Sequence, residues 1–138
     1  MTTRTDQDEA SARVLYIEDD PLYGEIVAKL LAPLGCTVDL AENGANGLAT
    51  FKEFSYDIVA VDYRLPDMTG IEVCLRLREA NPDIPLVMIT GQGKASTAVE
   101  ALSIDIPHYL EKGNKAVFSD GLINTFRLLI KNLPSERK

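Results

Sequence analysis

Residues whose chemical groups could act together follow four of the short apolar runs in the sequence. They comprise three consecutive carboxylates, a separate carboxylate, a threonine–glycine pair and a lysine, namely Glu18, Asp19, Asp20, Asp62, Thr90, Gly91 and Lys112. Crowded carboxylates repel one another and therefore favour a bound cation, and hard oxygen ligands select Mg²⁺ or Mn²⁺. A carboxylate can also accept a phosphoryl group, whose oxygens are neutralised by a metal ion, an ammonium or a hydroxyl. Brought together, these residue types would form a metal-assisted phosphoryl-accepting site.

Five apolar runs alternate with helical patterns, and this alternation predicts the fold that would bring the reactive residues together. The runs are 14–17, 37–41, 58–61, 86–89 and 108–110. The third and fourth runs are apolar throughout, as expected for strands that are covered on both faces. The pattern predicts a doubly wound α/β fold with five helices and a five-stranded parallel sheet in the flavodoxin-like order 2-1-3-4-5. In such a fold, ligands bind beyond the carboxyl ends of the strands, where the reactive residues fall.

Capping residues mark the ends of the helices. Four segments begin with a residue that can cap a helix N-terminus: Asp20, Asn43, Thr69 and Thr97. The last two are each followed by glutamate three residues later and read as capping boxes. Gly35 is a stop signal for the first helix, whose last turn should be irregular because it contains Pro33. The final helix has an apolar stripe made of Phe118, Leu122, Phe126, Leu129 and Leu133.

Length and charge restrict the class of protein. The 138 residues fit one domain, which we expect to span 13–132 between a disordered lead-in at 1–12 and a tail at 133–138. The net charge of −7 disfavours direct binding to nucleic acid, and no apolar run reaches the length of a membrane span. Cys36 and Cys74 have neither metal nor redox spacing, which favours two buried thiols in a cytoplasmic protein. The short tail at 133–138 is compatible with a stand-alone domain and with the N-terminal part of a longer protein.

Four stretches of the chain resemble the signature stretches of the response-regulator receiver family of two-component signalling. They are Val-Leu-Tyr-Ile-Glu-Asp-Asp-Pro at 14–21, Asp-Tyr-Arg-Leu-Pro-Asp-Met-Thr-Gly at 62–70, Val-Met-Ile-Thr-Gly at 87–91 and His-Tyr-Leu-Glu-Lys at 108–112. Each stretch alone is a weak signal, but all of them occur in the family's order and spacing. The resemblance runs from about Arg13 to Asn132, which is nearly the whole chain.

The resemblance implies a role for each reactive position. Glu18 and Asp19 would hold Mg²⁺ together with Asp62 and the backbone carbonyl of Arg64, and Asp62 would accept a phosphoryl group from a partner's phosphohistidine. The positions that bind the phosphoryl group or respond to it would be Thr90 as switch hydroxyl, Gly91, Lys112 as phosphoryl-binding lysine and Tyr109 as an aromatic that rotates inward. Asp20 falls one place beyond the acidic pair, and we expect it to cap a helix instead.

The family resemblance also implies partners and a mode of action. The donor would be a sensor histidine kinase or a histidine phosphotransfer protein, and the target an output domain or a downstream protein. A homodimer through the face of the fourth and fifth helices is compatible with the resemblance. The domain would assist its own phosphorylation and dephosphorylation but would not be an enzyme in the sense of turnover.

Three departures from the family pattern bear on the site. Gly113 follows Lys112 where the family has a proline after a cis bond, so we expect a trans bond and a different loop, because a cis bond before a residue other than proline costs about 3 kcal/mol. Asp105-Ile106-Pro107 replaces the usual Gly-Ala before the fifth strand. Arg64 is a large cation two residues after Asp62 that would shield the phosphoryl group or pair with Glu18 when no metal is bound.

Simpler explanations exist for each reactive residue when it is taken alone. The acidic run at 18–20 would suit an ordinary helix start, where the helix dipole favours anions. Thr90 would be a plain strand end, Lys112 a solvated charge and Tyr109 an edge aromatic. Two other functions remain open: a receiver-like scaffold that binds partners without phosphorylation, and a phosphatase with an aspartyl-phosphate intermediate. The phosphatase needs a general acid two residues after the nucleophile, and Arg64 cannot supply that proton.

Overall fold

Five parallel strands form one sheet in the order β2-β1-β3-β4-β5. The computed structural model describes residues 12–91, 100, 103 and 105–134. The strands are β1 (Ala12–Ile17), β2 (Cys36–Ala41), β3 (Ile58–Asp62), β4 (Leu86–Thr90) and β5 (His108–Glu111). The predicted strand order and all five predicted strands are confirmed. β3, β4 and β5 each extend one residue beyond their apolar runs, because backbone pairing continues into the polar residue that follows.

Four α-helices and one 3-10 helix connect the strands within the described part of the chain. They are α1 (Pro21–Leu31), the 3-10 helix Ala32–Leu34, α2 (Gly44–Glu53), α3 (Gly70–Ala80) and α4 (Lys115–Lys131). Five helices were predicted, so the count differs by one. The fifth is the helix predicted after Thr97, and most of its residues lie outside the described ranges. None of the helices in the described ranges is long and apolar enough to cross a membrane.

The predicted caps are present at the helices that the structure describes. Side-chain oxygens of Asp20 and Asn43 accept backbone N–H groups in the first turns of α1 and α2, as predicted, and Asn114, which was not predicted, does the same at α4. Thr69 and Glu72 form both hydrogen bonds of a capping box at α3. α1 passes into the 3-10 turn that contains Pro33 and stops at Gly35, whose φ of 86° is left-handed. The capping box predicted at Thr97 lies outside the described residues.

Both faces of the sheet are buried against helices, and alternate residues of each strand point to opposite faces. One core contains Leu15, Ile17, Val59, Val61 and Met88 from the strands with Val73, Cys74 and Leu77 from α3. The other contains Val14, Tyr16, Ile58, Ala60, Val87 and Ile89 with Val27 and Leu31 from α1 and Phe118, Leu122 and Phe126 from α4. This double coverage explains why β3 and β4 are buried along their whole length. Cys36 and Cys74 are buried free thiols, as predicted.

The loop between β3 and α3 turns back tightly on the end of β3. The N–H of Gly70 donates to the Tyr63 carbonyl at 2.6 Å, and Arg64 and Thr69 pair as an isolated antiparallel bridge. A Cβ atom at Gly70 would collide with the backbone carbonyl oxygen of Asp62. The Asp67 carboxylate accepts the N–H groups of Gly44 and Ala45, both at 2.8 Å, and so fastens the loop to the start of α2. These contacts fix the backbone on the carboxyl side of Asp62.

Replacing Gly70 with alanine should lower the free energy of unfolding by about 1–3 kcal/mol, since the new methyl group must displace backbone rather than a flexible side chain. Urea unfolding of both proteins measures the change. Gly113→Ala is the matched control, because its Cβ would meet nothing within 4 Å and its φ is not left-handed. That variant should gain about 0.4–1 kcal/mol by restricting the unfolded chain. Similar effects of the two substitutions would contradict this assignment of the close approach.

Candidate functional site

Three carboxylates meet at the carboxyl edge of the sheet. Glu18 and Asp19 follow β1 and Asp62 ends β3, and each contributes an oxygen to a group in which all ligand atoms lie within 4.8 Å of one another. Glu18 and Asp62 are buried, with 5% and 6% of their surface exposed, whereas Asp19 is exposed. The pairing of β1 with β3 brings residues more than forty positions apart to the same edge. The predicted acidic cluster is therefore present in the fold.

Lys112 provides the positive charge at this cluster. Its Nζ lies 2.7 Å from Glu18 Oε1 and 3.8 Å from Asp62 Oδ2, and its side chain is only 11% exposed. Its backbone N–H donates to the Thr90 carbonyl at 2.9 Å, which ties the end of β5 to the end of β4. The expectation that Arg64 pairs with Glu18 is wrong, because Lys112 occupies that position. Lys112 is also not the solvated charge that its sequence context alone would allow.

Glu18 accepts hydrogen bonds at both of its oxygens. The Tyr16 hydroxyl donates to Oε1 at 2.7 Å, and the Asp20 N–H donates to Oε2 at 3.1 Å. Burial first, and then the Glu18 charge, raise the pKa of Tyr16 far above its ordinary value, so the phenol remains a donor. The Asp20 side chain accepts the Leu22 N–H at 2.9 Å and caps α1, as predicted. Tyr16 was not identified from the sequence, although a tyrosine two residues before Glu18 in an aliphatic strand is a usable signal.

Asp62 resists ionisation in this environment. Burial raises the pKa of its carboxyl to about 7, the negative charges of Glu18 and Asp19 add to the rise, and the nearby Lys112 ammonium opposes it. A pKa of about 7 leaves a large part of Asp62 protonated at neutral pH, and only the ionised carboxylate is a nucleophile. Three converging carboxylates are a donor set of the hard oxygen type that fits Mg²⁺ or Mn²⁺. Such a cation would favour the ionised form of Asp62.

The remaining predicted site residues surround Lys112 and the end of β4. Thr90 is buried at the last position of β4, and a Cβ atom at Gly91 would lie 3.7 Å from Lys112 Cδ. Tyr109 pairs with Met88 in the β4–β5 ladder; its ring packs against the core and its hydroxyl oxygen is buried. Strand alternation places Thr90 on the same face of the sheet as Met88, and so on the Tyr109 side. Arg64 is exposed in the β3–α3 loop.

Tyr23 of α1 contacts Lys112 at both ends of the residue. The Lys112 Nζ lies 4.3 Å from the centroid of the Tyr23 ring, and the Tyr23 hydroxyl donates to the Lys112 carbonyl at 3.2 Å. The ring also meets Phe118 of α4 edge to face, with centroids 5.8 Å apart. The peptide bond between Lys112 and Gly113 is trans, as predicted. Sequence reasoning missed Tyr23, which reads as an ordinary residue of an amphipathic helix.

Comparison with known proteins gives a consistent family. Residues 14–117 match the model of the response regulator receiver domain. The chain is 35% identical over 100 residues to the transcriptional regulatory protein CusR of Escherichia coli K12, a match that covers 72% of this chain. It covers 44% of CusR, so the chain spans less than half the length of that curated relative.

Solved structures give the same fold. A CheY-like response regulator receiver domain from Methanospirillum hungatei superimposes with a TM-score of 0.78 at 22% identity, covering 87% of this chain and 94% of the other. The response regulator protein TrrA from Thermotoga maritima, solved in complex with Mg(2+)-BeF, superimposes with a TM-score of 0.75 at 25% identity. That match covers 86% of this chain and 98% of TrrA.

Asp62→Asn should stabilise the metal-free protein in a pH-dependent way. Because folding raises the pKa of Asp62 from 3.8 to about 7, the folded wild type binds more protons than the unfolded chain in that range and loses stability as the pH rises through it. The asparagine variant escapes this loss, so its advantage in EDTA should grow from near zero at about pH 4 to a few kcal/mol at about pH 8, since one pKa unit corresponds to about 1.4 kcal/mol. Excess Mg²⁺ should reduce the advantage by stabilising the wild type. Thermal melts across pH measure it.

Asp67→Asn is the matched control and should behave with the opposite sign. The backbone N–H groups of Ala45 and Gly44 hold the pKa of Asp67 below its ordinary value, so its stabilising effect is present above that value and is lost in acid. The variant should therefore melt below the wild type near neutral pH and approach it in strong acid. An Asp62→Asn protein that melts lower than the wild type in EDTA near pH 8 would contradict the strained acidic cluster.

Proposed function

The chain belongs to the response regulator receiver domain family of two-component signalling, and we propose that Asp62 is the residue that receives the phosphoryl group. One observation carries this assignment: Asp62, at the end of β3, is the carboxylate that adjoins both the Glu18–Asp19 pair and, at 3.8 Å, the Lys112 ammonium at the carboxyl edge of the sheet. Its raised pKa marks a group whose charge depends on a cation, which suits a nucleophile that must be activated. Arg64 and Thr69 pair in the loop beside it, where the Arg64 carbonyl would complete the metal ligands.

The residues divide the phosphoryl transfer between them. An ionised oxygen of Asp62 attacks the phosphorus of a partner's phosphohistidine, and the bond from phosphorus to the imidazole nitrogen breaks, with the electron pair remaining on the nitrogen. Lys112 would bind one phosphoryl oxygen, and the Thr90 hydroxyl and the Gly91 N–H would donate to the others. Mg²⁺ held by Glu18, Asp19, Asp62 and the Arg64 carbonyl would neutralise charge on the phosphoryl oxygens. Lys112 is already 3.8 Å from Asp62, so only a short movement is required.

The proposal extends to the partners of the domain. A sensor histidine kinase or a histidine phosphotransfer protein would donate the phosphoryl group in the cytoplasm. The readout would be an output domain or a downstream protein, and a homodimer, where one forms, would use the face of the helix predicted after Thr97 and of α4. The acidic surface makes direct contact with nucleic acid unfavourable for this domain. Receiver domains act in signalling, and we propose that this one promotes only its own phosphorylation and dephosphorylation.

Phosphorylation should map to Asp62 and should require Mg²⁺. Incubation with acetyl phosphate and Mg²⁺ should add one phosphoryl group, detected by intact mass and located by peptide mass spectrometry after borohydride reduction of the acyl phosphate. Asp62→Asn and EDTA should each abolish the labelling. Asp19→Asn should weaken it by removing a metal ligand, whereas Asp20→Asn should not, because asparagine caps a helix as well as aspartate does. Label on another residue, or equal labelling of Asp62→Asn, would refute the assignment.

Thr90 should transmit the phosphorylation signal to Tyr109. A phosphoryl oxygen on Asp62 would draw the Thr90 hydroxyl towards it by a charge-assisted hydrogen bond and alter the space next to Tyr109 on the same face of the sheet. The expected result is that beryllium fluoride with Mg²⁺ shifts the NMR signals of Tyr109 and its β5 neighbours in the wild type. The shifts should be much smaller in Thr90→Ala. Equal shifts in both proteins would show that Thr90 does not transmit the signal.

A further inference from the structure

We propose that Tyr23 is a positioning residue that holds Lys112 in place for phosphoryl binding, an inference that rests on the function proposed for Lys112. The receiver family generally follows its lysine with a proline, and this chain has Gly113 at that position. Glycine leaves the backbone freer than any other residue, so another contact must restrain the lysine. Tyr23 supplies two such contacts from a helix at the beginning of the chain.

The two contacts act on opposite ends of Lys112. The face of the Tyr23 ring lies 4.3 Å from the ammonium, within the range in which a ring attracts a cation. The hydroxyl of the same ring donates to the Lys112 carbonyl at 3.2 Å, which restrains the backbone immediately before Gly113. A single rigid side chain thus fixes both the start and the end of a flexible lysine. The direction of the Lys112 side chain matters because Nζ binds Glu18 in the unphosphorylated protein and would bind a phosphoryl oxygen on Asp62 after phosphorylation.

Tyr23 is itself packed against a core residue. Its ring packs edge to face on Phe118, which is buried in the core between α1 and α4. The position of Lys112 is therefore coupled to the packing of α4, the helix that begins two residues after Gly113. A Cβ atom at Gly113 would meet nothing within 4 Å among the described residues, so the loop has room to move on that side. The hydrogen bond from Tyr23 to the Lys112 carbonyl therefore restrains the loop on the side that faces α1.

The test separates the ring from the hydroxyl. Tyr23→Phe retains the ring and loses the hydrogen bond, whereas Tyr23→Leu loses both. With acetyl phosphate and Mg²⁺, the labelling rate of Asp62 should fall about 3-fold in Tyr23→Phe and about 10-fold in Tyr23→Leu, in keeping with one neutral hydrogen bond and one cation–ring contact. A small phosphodonor is used because it avoids effects on docking of a protein partner. Phe54→Leu, which removes an exposed ring from the Arg13 guanidinium, is the matched control and should label normally.

Two further measurements identify a positioning role. The ε-methylene protons of Lys112, assigned by their absence in Lys112→Met, should be shifted upfield by the ring in the wild type and in Tyr23→Phe but not in Tyr23→Leu. In a Lys112→Ala background, Tyr23→Leu should have no additional effect on labelling, because its action passes through the lysine. Stiffening the loop with Gly113→Ala should recover part of the rate that Tyr23→Leu loses.

The possible outcomes distinguish a failure of the Tyr23–Lys112 contact, here called the clamp, from a failure of the proposed phosphorylation of Asp62. Normal labelling of a folded Tyr23→Leu protein, or an equal loss with and without Lys112, overturns the role of Tyr23. Should the wild type fail to label at Asp62 at all, the proposed function fails, and the ε-methylene shift still decides whether the ring holds the ammonium. Loss of labelling in Tyr23→Leu with an unchanged methylene shift also overturns the clamp.

Discussion

Burying two carboxylates beside a third at one edge of a sheet is the constraint on which the rest of this structure depends. Charges withdrawn from water are stable only when they are paired and hydrogen-bonded. Glu18 meets this requirement through the Lys112 ammonium, the Tyr16 hydroxyl and the Asp20 N–H. Asp62 meets it only in part, since its contact with Lys112 is longer, and the consequence is a carboxyl with a raised pKa. The protein's own groups thus neutralise the acidic cluster incompletely, and under the proposed function a divalent cation would supply the missing positive charge.

The two hydrophobic cores hold this unfavourable arrangement in place. Helices α2 and α3 on one face of the sheet and α1 and α4 on the other bury nearly all of β1, β3 and β4, and their burial offsets the repulsion at the strand ends. The β1–β3 pairing, which ends at Ile17 and Val61, holds the backbones of Glu18 and Asp62 side by side. The tight β3–α3 loop, fastened by Asp67 to the start of α2, further restricts the backbone beyond Asp62. Packing in the two hydrophobic cores, away from the site, therefore keeps the mutually repelling carboxylates together.

Lys112 connects the site to the rest of the molecule. Its side chain neutralises Glu18, its backbone N–H pairs with Thr90 at the end of β4, and its ring contact with Tyr23 leads through Phe118 to α4. A movement of the ammonium from Glu18 to a new anion on Asp62 would change its contacts with Glu18 and with the Tyr23 ring of α1. This is the kind of element whose two arrangements a covalent modification can bias.

Much of the fold and of the candidate site could be predicted from the sequence because the signals concerned are local. Periodic apolar runs, caps such as Asp20 and Asn43 and the stop at Gly35 depend on neighbours within one or two turns, and all were confirmed. The convergence of the carboxylates that follow β1 and β3 could be predicted in the same way, since parallel strands share one carboxyl edge.

Contacts between distant positions could not be derived in this way. Lys112 meets Glu18 across 94 positions and Tyr23 across 89, and only the packed arrangement of α1 against β5 and α4 decides that these groups touch. The same packing decided that Lys112 rather than Arg64 neutralises Glu18, and that burial rather than charge alone controls the protonation of Asp62.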